Sequence, residues 1–287
     1  MLWRYVLALV VVLAGLVLLS GKVVQQLAVG DPHMTGALIG GLVAALATAL
    51  GTLPAMVSGR YSQRANDTMM GFGAGVMLAA TSFSLILPGL QVAGEQGAGP
   101  WLAGGMVGAG IIIGALGLLV LDRVMPHEHF VKGVEGIPAA RLKRVWLFVF
   151  AIILHNIPEG LAIGVAFAGP DLVGARALTL GIAIQDIPEG LVIAVALMGA
   201  GYGRGLSLFI GMLSGLVEPV AAVLAVALVG LSAGLLPWGL AIAAGAMLFV
   251  ISHEIIPESH RQGHETWATC GLIVGFVVMM LLDTALG

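Results

Sequence analysis

A chain of 287 residues in which 59% are hydrophobic and only 9% charged is short of the polar surface a soluble domain needs, since soluble domains carry about 25% charged residues. The formal net charge of −3 gives no basic face for nucleic acid, and a single cysteine, Cys270, excludes both an intrachain disulfide and a thiolate metal cluster. The mean hydropathy of +1.07 and the 43 glycines point instead to helices packed closely in a bilayer, where small residues let backbones approach.

A hydrocarbon core about 30 Å thick needs roughly 20 helical residues. Runs of that length predict helices near residues 2–20, 34–58, 68–90, 99–121, 145–168, 174–199, 204–230, 235–257 and 267–286. The linkers are short apart from 122–144, so the chain reads as one polytopic, all-α transmembrane helix bundle. Residues 2–20 read as a retained helix; a cleaved signal peptide, which would leave eight spans, is the alternative. With the first helix kept and the N-terminus inside, ten Lys and Arg residues fall on the inner side and two, Lys22 and Arg176, on the outer. Cytoplasmic loops carry that excess, and the C-terminus then lies outside.

Two consecutive predicted helices carry related polar segments: His155-Asn156-Ile157-Pro158-Glu159-Gly160-Leu161 and Gln185-Asp186-Ile187-Pro188-Glu189-Gly190-Leu191. The next adds Glu218-Pro219. A carboxylate at a helix centre costs roughly 2.5–3.5 kcal/mol on insertion scales, so Glu159, Asp186, Glu189 and Glu218 together cost about 10–14 kcal/mol uncompensated. No Lys or Arg lies in the interior of these helices. The missing positive charge must come from protons or a bound cation. Spacing favours the cation: His155 and Glu159, and likewise Gln185 and Glu189, are four apart and share a helix face, with Asn156 and Asp186 beside them. Pro158 and Pro188 cannot donate to the carbonyls of Leu154 and Ile184, and such breaks are tolerated at membrane depth where they line a protein-buried or watery cavity. The other reading is a set of protonated carboxyls and kink prolines that only pack helices together. An imidazole, carboxylates and amides without Cys disfavour Cu(I) and suit zinc, manganese, iron, cobalt or nickel. Carboxylate ligands tie binding to pH, because metal and proton compete for them.

These segments, with His253-Glu254-Ile255-Ile256-Pro257-Glu258 on a later helix, resemble the ZIP (Zrt/Irt-like) family of metal transporters, in particular its prokaryotic GufA-like branch. The resemblance runs helix by helix over residues 34–287, an eight-helix transport domain, and leaves residues 1–33 as an additional N-terminal transmembrane helix and linker. It implies a binuclear metal centre. One ion would be held by His155, Glu159 and Glu189 with Met77 as a soft further ligand, the second by Asn156, Glu159, Gln185, Asp186, Glu189 and Glu218. Many members carry histidine and aspartate variants at the positions of Gln185 and Asp186. The resemblance further implies uptake of zinc first, and of cadmium, iron or manganese, across a bacterial inner membrane toward the cytoplasm, by an elevator or rocking motion of one helix group against another.

Further polar residues suggest a route. Ser84 and Asp283 could receive ions at the outer side. Asp122, His127, Glu128 and His129 begin the long inner loop, and His253, Glu254, Glu258, His260 and His264 gather at another inner helix end. Solvated helix ends and an ordinary loop are the plain alternatives; the resemblance supports an exit role for His253 and Glu254. Arg64 and Asp67 read only as marking the inner end of a helix. The expected partners are divalent metal ions and the lipid bilayer, with a homodimer left open; no cofactor beyond the transported Zn²⁺, Cd²⁺, Fe²⁺ or Mn²⁺ is expected. A metalloenzyme is disfavoured because His253-Glu254 lacks the second histidine of a zinc-protease helix, and no nucleotide-binding loop is present to power a pump. A metal-selective channel remains the rival to a carrier.

Overall fold

The computed structural model describes residues 29–57, 62–124, 127–129, 133–135, 144–199 and 202–286, with isolated positions at 21, 23 and 25. Over 127–129, 133–135 and 144–155 it describes backbone alone. The expected helix at 2–20 lies outside the described residues.

Within them the chain is a bundle of long apolar helices. α1 is Pro32–Thr52, started by Asp31, whose carboxylate accepts from the His33 and Met34 amides as a helix cap should. α2 is Gln63–Glu95 and α3 is Pro100–Val124. The loop after α3 holds a two-stranded antiparallel ribbon, β1 His127–His129 with β2 Gly133–Glu135, which hydropathy did not anticipate. α4 is Arg144–Ala168 and α5 is Leu172–Gly199. α6, Arg204–Ser214, and α7, Val217–Val229, follow as two halves of one span. α8 is Ala233–Ser259 and α9 is Glu265–Leu286. Seven of these helical spans are long and apolar enough, by length and composition, to cross a membrane. α4 has 25 residues, of which the shorter stretch Asn156–Ala168 is described with its side chains. Large apolar side chains such as Ile39, Trp101, Ile112 and Ile273 lie exposed on the perimeter, where lipid rather than water meets them.

Two departures from uniform helix follow from proline. α2 passes through a π-helical stretch at Ala80–Ile86 just before Pro88, and α8 through another at Ile251–Ile255 just before Pro257. Neither proline can donate to the carbonyl four residues back, Ser84 or His253, and a widened turn accommodates the lost bond. The expected single helix at 204–230 is broken at Gly215-Leu216. Pro219 falls in the first turn of α7, where its missing N–H costs nothing, and so marks a helix start rather than a kink.

The helices pack in two groups, the first joined by close backbone approach and the second made of two such pairs. α5 lies on α1, with Gly190 against the Thr48 carbonyl; α4 lies on α7, with Gly160 against the Glu218 carbonyl and Gly164 against that of Ala222. α7 also touches α1, where Gly41 meets Pro219. In the second group α2 and α9 run side by side in the same direction, with Gly75 on the Leu272 carbonyl and Gly275 on that of Phe72. α3 and α8 do likewise through Gly114 and Gly245. Between the groups the glycines meet side chains instead: Gly73 faces Gln185, and Gly181 faces Met279. A Cβ at Gly190 would run into main chain, so Gly190→Ala is expected to cost about 1–3 kcal/mol, the usual range for overpacking, and to lower the melting temperature of the purified protein. Gly104, which faces open space on α3, is the control: Gly104→Ala should melt with the wild type.

Candidate metal centre

The three-residue connection 169–171 turns the chain back between α4 and α5, and this brings the two proline-containing segments together. Oxygens of Glu159, Asp186 and Glu189 all lie within 4.8 Å of one another. Glu159 and Asp186 are each 1% exposed and Glu189 is half-buried. Two unit charges at that distance repel by roughly 3.5 kcal/mol even at an effective dielectric of about 20. Three ionised carboxylates therefore do not coexist here unless a cation sits among them.

The hydrogen bonds show how each donor set is turned. The Gln185 amide donates to Glu159 Oε1 and, at 3.0 Å, to Asp186 Oδ1; Asp186 Oδ2 stays buried with no hydrogen-bond partner. The Asn156 amide donates to Glu218 Oε1 at 3.0 Å and to the Ser214 carbonyl at 3.4 Å, which leaves its Oδ1 buried and without a hydrogen-bond partner. Glu218, fully buried in the first turn of α7, repeats the pattern: Oε1 accepts, and Oε2 has no hydrogen-bond partner. Buried oxygens left so are costly, and three from neighbouring helices suit a hard or borderline divalent ion, which needs oxygen lone pairs and no proton.

Of the predicted ligands, the structure thus brings together Glu159, Gln185, Asp186 and Glu189 in one set and Asn156 with Glu218 in another. His155 lies on α4 one residue before Asn156, and its side chain is outside the description. Met77 is fully buried on α2, in the apolar core that also holds Ile182 of α5. Sequence reading missed Thr48, whose hydroxyl lies 3.3 Å from Glu218 Oε1.

The route residues divide. Ser84 and Asp283, 199 positions apart, form a 2.7 Å hydrogen bond between α2 and α9. Glu254 is buried in the π-helical stretch of α8, and His253 beside it stacks on the Phe249 ring. Asp122 is buried near the end of α3. His127 and His129 lie on β1, their side chains undescribed. Two residues of the expected inner cluster are otherwise engaged. His260 has Nδ1 on Ser259 Oγ and the Ile256 carbonyl and Nε2 on Thr269 Oγ1. His264 Nδ1 pairs with Asp67 at 2.9 Å. Asp67 is more than a helix-end marker: it is buried and also accepts from Gln63, while the Arg64 guanidinium sits 3.5 Å over the Trp267 ring. These contacts fasten the start of α2 to the start of α9.

Residues 127–283, a stretch that holds all six residues of the two sets, match the family model described as ZIP Zinc transporter. The chain belongs to the ZIP family. A zinc transporter ZIPB of Bordetella bronchiseptica is 50% identical over 279 residues, which cover 96% of this chain and 89% of the relative. The zinc transporter GufA of Myxococcus xanthus is 46% identical over 254 residues, covering 88% of this chain and all of that one. The human zinc transporter ZIP11 is 31% identical over 321 residues, covering 84% and 94%. As a ZIP protein the chain is an integral membrane metal transporter and not an enzyme, and its carboxylate cluster lies in the part of the chain that the family model covers.

The repulsion argument has a direct consequence. With metal chelated away, Asp186→Asn should melt above the wild type, because a carboxyl that must either repel its neighbours or take up a proton is gone. Excess zinc should then raise the variant's melting temperature less than the wild type's, since a bound ion stabilises by RT ln(1 + [L]/Kd). Equal stabilisation of both proteins would place the ion elsewhere.

Proposed function

We propose that this ZIP protein carries zinc, and also cadmium, iron and manganese, into the cytoplasm through a binuclear site inside its helices. The observation that carries the reading is the group of buried oxygens of Asn156, Asp186 and Glu218 that have no hydrogen-bond partner and adjoin the Glu159–Asp186–Glu189 cluster. The names of its relatives support zinc as the principal cargo. His155, Glu159 and Glu189, with Met77, hold one ion. Asn156, Glu159, Gln185, Asp186, Glu189 and Glu218 hold the other, the two glutamates bridging. Protons that return to the carboxylates as metal leaves keep the empty site from self-repulsion.

Ions enter past Ser84 and Asp283 and leave past His253, Glu254, Asp122 and the loop residues His127 and His129. Residues 34–287 form the transport domain, and residues 1–33 add a helix with its N-terminus in the cytoplasm of a bacterium whose inner membrane holds the protein. The C-terminus lies outside. Transport proceeds by movement of α1, α4, α5, α6 and α7 together against α2, α3, α8 and α9. The reason is the packing: backbones touch through glycine among α1, α4, α5 and α7, between α2 and α9 and between α3 and α8, contacts that cannot slide without clash, whereas the glycines between the two groups face side chains.

Purified protein in liposomes tests the reading by entry of Zn²⁺ and Cd²⁺, wild type beside Glu189→Ala. The expected result is saturable wild-type uptake that falls in the variant to the level of protein-free vesicles. Undiminished uptake by Glu189→Ala would refute the site, and flux that does not saturate would make the protein a channel.

A further inference from the structure

α1 contributes none of the expected ligands, yet it reaches the centre through one hydroxyl. Thr48 is 1% exposed, and its Oγ1 lies 3.3 Å from Glu218 Oε1 and 3.3 Å from the Ala44 carbonyl of its own helix. A threonine hydroxyl has one proton to give. An ionised carboxylate takes it in preference to a carbonyl, because charge-assisted hydrogen bonds are roughly twice as strong as neutral ones. The Asn156 amide supplies a second donor to the same Oε1 at 3.0 Å. With that oxygen doubly engaged, Oε2 is the one left with no hydrogen-bond partner.

We propose that Thr48 is a positioning residue for the second ion: its hydroxyl holds Glu218 Oε1 and so presents Oε2 as a single-oxygen ligand in place of a two-oxygen grip. This rests on the binuclear reading above. The backbone around Thr48 is held firmly enough for the task. Its carbonyl lies against Gly190 of α5, and its Cβ lies against Gly215, in the break between α6 and α7. A group so placed reports the position of α1 and α5 to the ligand on α7. Single-oxygen ligation also sets specificity, since it limits the number of oxygens around the ion, which suits small zinc, whereas large ions gain from two-oxygen carboxylate binding.

Equilibrium dialysis of the purified full-length protein against Zn²⁺ tests this with Thr48→Val, which keeps the shape and loses the hydroxyl, Thr48→Ala as a second hydroxyl-free variant, Thr48→Ser, which restores it, and Glu218→Ala. The wild type should hold two ions per chain and Glu218→Ala one. Thr48→Val and Thr48→Ala should bind the first ion as the wild type does and the second roughly 10–100-fold more weakly, as loss of an outer-shell hydrogen bond does elsewhere, with Thr48→Ser close to wild type. Unchanged binding of both ions by Thr48→Val overturns the proposal. So does equal weakening of both ions that Thr48→Ser fails to restore, because that is the mark of packing alone. Retention of two ions by Glu218→Ala would instead overturn the placement of Glu218 in the second site, and the role of Thr48 with it.

Discussion

Carboxylates crowded together inside a bilayer protein can be kept in only two ways, by protons or by a cation. Glu159, Asp186 and Glu189 bring their oxygens within 4.8 Å of one another, with the Gln185 amide on two of them, while Glu218 is held by the Asn156 amide. The Gln185 amide is spent on Glu159 and Asp186 and the Asn156 amide on Glu218 and the Ser214 carbonyl, and other buried oxygens, among them Asp186 Oδ2, Asn156 Oδ1 and Glu218 Oε2, have no hydrogen-bond partner. A site that is unfavourable when empty and deprotonated, and relieved by either metal or protons, suits a carrier better than a store. It can load where metal is present and unload where protons return.

The helices serve that constraint. The ligand helices α4 and α7 come nearly into backbone contact at Gly160, on the Glu218 carbonyl, and α5 is set on α1 by Gly190, on that of Thr48. The same economy fuses α2 to α9, whose starts are further tied by His264 with Asp67 and by Arg64 over Trp267. Where the first group meets α2, α8 and α9 the glycines face side chains, and side chains can exchange partners where backbones cannot. The π-helical stretches both belong to the second group, one containing Ser84 and the other His253 and Glu254. Widened turns thus accompany polar residues that stand apart from the centre itself.

The core of the site was legible because polar residues in an apolar run are expensive and their four-residue spacing names a face. Asn156, Glu159, Gln185, Asp186, Glu189 and Glu218 were found on those grounds. Thr48 was not, since a lone threonine within a helix costs little and can bond its own carbonyl at Ala44, so nothing in its surroundings sets it apart from Thr52. The break before α7 was hidden for another reason: hydropathy reports burial and is blind to main-chain direction, and Gly215-Leu216 is as apolar as its neighbours. Spatial pairs far apart in the chain were likewise beyond reach. Asp67 looked like a helix-end marker until His264, 197 residues on, was found against it. His260, read as part of an inner helix-end cluster, has hydrogen bonds to Ser259, Ile256 and Thr269 that its sequence neighbours alone do not disclose.

All of this turns on an ion lying among those oxygens. X-ray absorption at the zinc edge of the metal-loaded protein tests it most directly. Zinc held by carboxylates, amide oxygens and imidazole should show oxygen and nitrogen neighbours at about 2.0–2.2 Å, with a second metal roughly 3.5–4 Å away. A shell of six waters with no metal neighbour would contradict the account and return the cluster to a set of protonated, structural carboxyls.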